Sequence, residues 1–561
     1  MRIYFSTDLE IDEYEGVHLV QDHIGTFHKS PWDDFDYVVT FNVYRVLDGE
    51  SDKVGLIKLL VKGEMDTSKY FTENGKKIEA DNIYDVSELL VPSTAVSLAC
   101  DVDFYKKLRK ILSYSEIETY LINICDAGYF YQNYDVFKQW PGFGESLFRE
   151  SSVSEAVMRK GYQIAMGNYS PPKQFEMEIN SLPDSFEKVD FYFDSERETG
   201  KLNINLVIGK NGCGKTYLLK HLTEILTGLK RLDNSYPFFH KLLVVAYSPF
   251  ESFYTKNELI ELIDRSYFVD RKKRRANKKQ KSNARLMVNE YSYIGFKNND
   301  GRFDLNWPKE QSARSVVKVI KYDEENNWWN EKGRFDVLVE TLKLSLDFDH
   351  IRLLLKRDEF VDLIGDDIPK IESIENDIDF EAGIYFVKNG KVLKLSSGQM
   401  IYSYMLPALV AEISDESLVI VDEPELYLHP SLEIGLIEMM QHLLSETSSY
   451  AIIATHSAIL AREVPQKGVK IFRSIEGSTQ ITKPSFETFG ESVELIMGEV
   501  FNDYSTKKPY QKRLDALLEE NEASEELIKD ISPNIGNEAL SYLLSTVDDK
   551  LTEDIVFEDN E

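Results

Sequence analysis

A chain of 561 residues, 42% hydrophobic and 29% charged, has the composition of an ordinary soluble globular protein long enough for two to four domains. Its 96 acidic and 65 basic side chains give a net charge of −31, so the surface as a whole repels nucleic acid and leaves any DNA contact to a local basic patch. No apolar run approaches the roughly 18 to 20 residues that span a bilayer, which excludes the membrane half of a transporter.

Residues 1–8 lack the charged-then-apolar layout of a secretory signal. Cys100, Cys125 and Cys213 are too few and too scattered for a disulfide framework or a zinc site. Both readings predict the reducing cytoplasm.

In chain order, residues 1–65 read as β-rich, with a β-branched and aromatic run at 37–44 and an apolar run at 54–61. Residues 85–165 read as mainly helical, as at 103–112. Asn168-Tyr169-Ser170-Pro171-Pro172 marks a linker, closing an N-terminal α+β region, 1–168, that shows no chemical motif. Residues 169–495 then read as an α/β head. Strands are predicted at 175–179, 188–193 and 202–208, and the apolar runs 241–247 and 418–421 suit a buried parallel sheet.

An insertion at about 250–386 interrupts the head, with a helix at 335–346 and no heptads sustained enough for a coiled-coil arm. It carries a basic stretch, 271–285, with nine Lys or Arg and no acid. Arg271, Lys272, Lys273, Arg274, Arg275, Lys278, Lys279 and Lys281 are its candidate nucleic-acid contacts, against the alternative of a solvated loop balancing an acidic surface. Residues 496–561 form a helical C-terminal segment, with helices at 512–518 and 525–531 and seven acids in the last 14 residues.

The chemistry lies in four motifs. Gly209-Lys210-Asn211-Gly212-Cys213-Gly214-Lys215-Thr216 is a full G-x-x-x-x-G-K-T between an apolar strand and a helix, the context a true P-loop requires. Its glycines turn backbone N–H groups towards phosphates, and the helix N-terminus adds a favourable dipole. Lys215 suits the β- and γ-phosphates of ATP and Thr216 suits Mg²⁺.

Next, Leu418-Val419-Ile420-Val421-Asp422-Glu423 is an apolar strand ending in two carboxylates at the sheet edge where α/β folds bind ligands. Asp422 is the candidate Mg²⁺ ligand and Glu423 the candidate general base. Leu395-Ser396-Ser397-Gly398-Gln399, with Ser396 lying 26 residues before Asp422, is similar to the LSGGQ signature of ABC ATPases, Ser397 standing where that signature has glycine. Ser396 and Gly398 would offer a hydroxyl and a backbone N–H to the γ-phosphate on an opposite subunit. Finally, Ile452-Ile453-Ala454-Thr455-His456 is a strand ending in a histidine 33 residues after Glu423, the place of the ABC switch histidine.

Together these motifs resemble ABC-type ATPases of the OLD kind and their relatives in anti-phage defence, the PtuA-like ATPases of Septu and retron systems. The run from Asp422 to Pro430 and the later Phe486-Glu487-Thr488-Phe489-Gly490-Glu491-Ser492 carry that likeness, which covers about 171–495. It implies an ATPase that closes a head-to-head dimer around ATP and Mg²⁺. It also implies an HNH nuclease partner (PtuB-like) and, in retrons, a reverse transcriptase with RNA-linked DNA. The alternative is a stand-alone DNA clamp or repair ATPase, for which the basic stretch speaks. Two features depart from the pattern: Ser397, and the lack of a Q-loop glutamine in Ser248-Pro249-Phe250-Glu251. No Asp-x-Asp follows an apolar strand after His456, so the chain is not expected to carry a TOPRIM nuclease domain.

Overall fold

The structure, a computed structural model, describes all residues except 27–29, 32–35, 79–81, 149–151, 180–181, 231–238, 271–290, 331, 366–367, 502–506, 521–524 and 547–561. Strands apolar on both faces have no side to turn to water and take the middle of a parallel sheet. Ile204–Gly209, Leu242–Ala246, Leu418–Asp422 and Tyr450–Thr455 are of this kind, buried at every residue.

They form a seven-stranded sheet ordered Tyr291–Gly295, Leu242–Ala246, Leu418–Asp422, Tyr450–Thr455, Ile204–Gly209, Val469–Ile475, Ser478–Thr482. Every pair is parallel except the last, which is antiparallel. Ile208 pairs with Thr455, and Ala454 with Asp422, so three adjacent strands end within a residue of one another. Their carboxyl ends bring the P-loop, His456 and Asp422 to one edge, where open α/β sheets bind ligands.

Ahead of this head, a second seven-stranded sheet runs Lys76–Lys77, Ile83–Asp85, Ile3–Ser6, Gly16–Gln21, Thr40–Leu47, Glu50–Val61, Ala95–Ala99. Its core contains Phe5, Phe41, Phe71, Tyr105 and Tyr120. The Ser152–Ala165 helix lies close over Tyr105 because residue 161 is glycine; a Cβ there would meet the Tyr105 ring at 2.5 Å. That contact offsets the roughly 1 kcal/mol glycine costs inside a helix. The Ala95–Ala99 strand interrupts a region expected to be helical, its pairing with Glu50–Val61 having no local signature.

The insertion is more than helical. It supplies the edge strand Tyr291–Gly295, the helices Trp307–Asn326 and Arg334–Lys343, and strands of an antiparallel sheet ordered Phe360–Leu363, His350–Leu354, Ile384–Lys388, Lys391–Val392. These strands have two to five residues, too short for alternation to distinguish them from loop. The basic stretch with Arg271, Lys272, Lys273, Arg274, Arg275, Lys278, Lys279 and Lys281 lies outside the described residues, as does the acidic tail.

Met1–Gly490 form one compact unit and Glu491–Glu561 a second. The second holds the helices Pro509–Glu520 and Glu525–Ile531 and a small core around Leu514, Leu518 and Leu543. Among the described residues no helix is long and apolar enough to cross a membrane.

Within the first unit the N-terminal region is tied to the head at Glu416, whose backbone is left-handed at φ 55°. The Lys160 ammonium lies 2.6 Å from the Glu416 carboxylate, and the Tyr169 hydroxyl donates to it at 2.8 Å. The linker residue Tyr169 is therefore an anchor. Removing one member of a buried pair strands the other charge, at a cost of about 3–5 kcal/mol. Lys160→Met is expected to lower unfolding free energy by about 3 kcal/mol, with Glu416→Gln added to it restoring part of the loss. Urea denaturation of the three proteins checks this; equal stability of Lys160→Met and wild type contradicts it.

Candidate functional site

Three glycines shape the P-loop, each for its own reason. Gly212 and Gly214 have φ of 77° and 95°, where an L side chain is strained. A Cβ on Gly214 would also meet the Phe186 ring at 2.6 Å, and one on Gly209 would lie 2.3 Å from the Phe472 carbonyl oxygen. Asn211 is exposed on the loop. The Cys213 thiol is buried and its pKa is raised by that burial, which makes it a packing residue and a poor nucleophile.

The Lys215–Leu226 helix opens directly from this loop. The buried Lys215 ammonium donates to the Gly209 carbonyl at 3.0 Å and to the Lys210 carbonyl at 3.2 Å. It also lies 3.0 Å from His456 Nε2. His456 Nε2 in turn lies 2.8 Å from Glu423 Oε1, so lysine, histidine and glutamate form one polar chain. Glu423 sits at φ 48°, a left-handed turn that lifts its carboxylate out of strand direction, and its N–H donates to the Ala454 carbonyl at 2.9 Å. The Thr216 hydroxyl donates to both Asp422 oxygens at 3.0 and 3.1 Å.

The two acids differ in environment. Burial pushes the Asp422 carboxyl up to about 7, with the neighbouring Glu423 charge adding to the rise. The hydrogen bond from His456 holds Glu423 below the usual carboxylate range. Burial lowers the Lys215 pKa, an ammonium enclosed with too little anionic charge to offset its lost hydration. An enclosed hydroxyl and carboxyl in contact are a set of hard oxygen donors that fit Mg²⁺, and the partly protonated Asp422 has a proton to give up to a cation.

Ser396 and Gly398 have different neighbours. Ser396 is the N-cap of the Ser397–Glu412 helix, its hydroxyl accepting from the Gln399 N–H at 3.3 Å while Gln399 Oε1 accepts from the Ser396 N–H at 3.0 Å. Gly398 is buried against the turn after Glu423; a Cβ there would meet Leu432 at 2.7 Å and the Tyr427 carbonyl at 3.1 Å. Ser397, where the signature has glycine, is exposed in the first helical turn, so its side chain costs the packing nothing. Beside this helix start, Met400, Leu426 and Tyr427 remain exposed apolar residues.

Sequence reasoning missed several groups here. Glu425 accepts a hydrogen bond from the His456 backbone N–H and fixes the loop that carries the histidine. Ser457 donates to the buried Glu433 and caps the following helix through the Ile459 and Leu460 N–H groups. Phe186 and Tyr217 stack at 5.2 Å beside Gly214, giving the P-loop an aromatic flank. The acid two residues beyond Glu423 was the available signal for Glu425; the Phe186 contact had none. At the Q-loop position, Glu251 is buried against Lys297 at 3.2 Å and Tyr293 at 3.1 Å, so it serves the insertion.

Residues 204–462 match a protein-family profile described as "AAA domain, putative AbiEii toxin, Type IV TA system". The chain is 24% identical to Protein ea59 of Escherichia phage lambda over 92% of its own length and 93% of that protein's. Among solved structures it is similar to an ATP-binding cassette of an ABC transporter in its ADP conformation, at 11% identity and a TM-score of 0.27, covering 59% of this chain and 96% of that one. It is likewise similar to an Smc head bound to the C-winged helix domain of ScpA, at 15% identity and a TM-score of 0.29, covering 56% and 97%. The motifs, the sheet order and the family profile agree on an ABC-like P-loop ATPase fold for the head.

Two substitutions separate the roles of the small residues. Gly214→Ala, strained and in contact with Phe186, is expected to abolish nucleotide binding in a fluorescent-nucleotide titration. Ser397→Gly is expected to leave that affinity within about twofold, since it removes only an exposed hydroxymethyl group. Strong binding by Gly214→Ala contradicts the P-loop geometry described here.

Proposed function

We propose that this chain, with its ABC-like P-loop ATPase head, binds Mg-ATP at Gly209–Thr216 and hydrolyses it between two copies of the head. The observation that carries the reading is the polar chain Lys215–His456–Glu423 beside the Thr216–Asp422 pair, all at one sheet edge.

Asn211, Gly212, Cys213 and Gly214 present backbone N–H groups to the phosphates, and Lys215 exchanges its loop carbonyls for phosphate oxygens. Glu423, kept ionised by His456, polarises the attacking water. His456, held by Glu425, orients that water and contacts the γ-phosphate. Thr216 and Asp422 are the residues that would hold Mg²⁺, which supplies charge neutralisation to the phosphates. Positioning and electrostatics do most of the work, as in phosphoryl transfer generally.

Ser396 and Gly398 complete the opposite site. Ser396 is exposed at its helix start, Gly398 packs behind it against the Tyr427–Leu432 turn, and beside them Met400, Leu426 and Tyr427 are open to a partner. A second head docking there covers these apolar groups while bringing the signature to the phosphates.

The motif resemblance extends the reading to a cytoplasmic anti-phage effector in which the ATP-closed dimer restrains an HNH nuclease, with a reverse transcriptase and RNA-linked DNA in the retron form. The basic stretch 271–285 keeps the DNA-clamp reading as its competitor. If about half of those charges met phosphates, affinity would fall with salt at a slope of roughly −4, a dependence that replacement by Ser and Gly removes.

Glu423→Gln is expected to bind ATP normally while hydrolysing it at least ~100-fold more slowly. Normal turnover by this variant contradicts the assigned base. At pH 7 about half of Asp422 is protonated, given its pKa of about 7. Binding of Mg-ATP should therefore release roughly half a proton, falling as pH rises above 7. Calorimetry in buffers of different ionisation enthalpy measures this, and Asp422→Asn should abolish the release.

A further inference from the structure

We propose that a cleft of about 620 Å³, open to solvent on one side and bounded by the N-terminal region, the head and the insertion, binds a small phosphorylated ligand of mononucleotide size. It is lined by Arg109, Tyr169, His240, Trp329, Asn330 and Glu416, among others, all within the Met1–Gly490 unit and on the opposite side of the Leu418–Asp422 strand's length from Asp422. Small-molecule sites are typically about 300–1,000 Å³ with a few convergent polar groups.

The charges in the wall fall into two groups. The carboxylates are already engaged: Asp415 pairs with Lys106, which also lies 3.0 Å from Asp103, and Glu416 pairs with Lys160 and Tyr169. Arg109 is different, since among the described residues its exposed guanidinium has no hydrogen-bond or ion-pair partner. It lies over Gly167, where a Cβ would approach Cζ to 2.6 Å; glycine at φ 70° leaves the guanidinium its place. Lys110, on the same helix, adds a second cation to the lining. On a chain of net charge −31, an unspent guanidinium beside a lysine selects an anion, and its planar fork suits phosphate oxygens.

The remaining walls supply what a nucleoside needs. His240 is 5% exposed and neither ring nitrogen has a hydrogen-bond partner among the described residues; Nε2 lies 3.8 Å from Glu416 Oε1, beyond bonding reach. Burial lowers its pKa, so the ring is neutral and offers one donor and one acceptor. Asn330 adds an amide, and Tyr169 and Trp329 add aromatic surface. Buried polar groups left unpaired cost roughly 1–3 kcal/mol each, a cost that a bound polar ligand relieves.

The test is isothermal calorimetry on the full chain with adenosine and guanosine 5′-monophosphates and inorganic phosphate as probes. Wild type and Lys215→Ala should bind a mononucleotide with equal affinity, while Arg109→Ala weakens binding about tenfold at an unchanged melting temperature. Phosphate binding as tightly, with the same dependence on Arg109, upholds the site and identifies the phosphoryl group as all it reads. Binding lost in Lys215→Ala and unchanged in Arg109→Ala assigns the probe to the P-loop and overturns the proposal. So does the absence of binding by any probe at millimolar concentration.

Discussion

A carboxylate at the end of a wholly buried strand sets the terms for the rest of the head. Leu418–Asp422 is buried at every residue, and that burial raises the Asp422 pKa to about 7, a cost that a cation or a donor offsets. Among the described residues, the Thr216 hydroxyl donates to it from the P-loop side. The next residue, Glu423, escapes the same cost only through the left-handed turn that carries it to His456. The sheet register makes both contacts possible. Ala454 opposite Asp422 and Thr455 opposite Ile208 align three strand ends, so Lys215, Thr216, Asp422, Glu423 and His456 converge without any long loop.

The parts of this site that were legible in the sequence are those whose chemistry is local. A glycine-rich turn between an apolar strand and a helix announces itself, and Gly212 and Gly214 indeed occupy left-handed backbone. The buried strands at 242–246 and 418–422 follow from apolar runs, and the one at 204–209 from a run broken only by Asn205. Ser397 looked like a defect in the signature, yet it occupies an exposed helical position while the neighbouring Gly398 bears the tight packing. What the sequence concealed depends on distant partners: Phe186 over Gly214, the edge strand Ala95–Ala99, and the insertion's short antiparallel strands. Their residues carry no period or spacing that distinguishes them from loop.

The N-terminal region gains meaning from its attachment. Lys106, Lys160 and Tyr169 reach the Asp415–Glu416 turn, two residues before the strand that ends in Asp422. A buried ion pair of this sort adds little net stability over an apolar contact but fixes one docking geometry. The cavity beside it follows from the same construction, since three surfaces held together by polar contacts do not interdigitate as an apolar core does. The head thus has its candidate site at the carboxyl edge of the sheet and its attachment to the remainder of the unit at the opposite edge.

The central claim is that each catalytic site is shared by two chains. Mixing two inactive proteins tests it most directly: Lys215→Ala, which lacks the phosphate lysine, and Ser396→Arg, which blocks the exposed signature position without entering the packing around Gly398. A mixed dimer pairs the intact P-loop of one with the intact signature of the other, so ATP hydrolysis absent from either protein alone should appear on mixing, at roughly a quarter of the wild-type rate for random pairing. No activity at any mixing ratio, with both variants folded, would contradict a shared site.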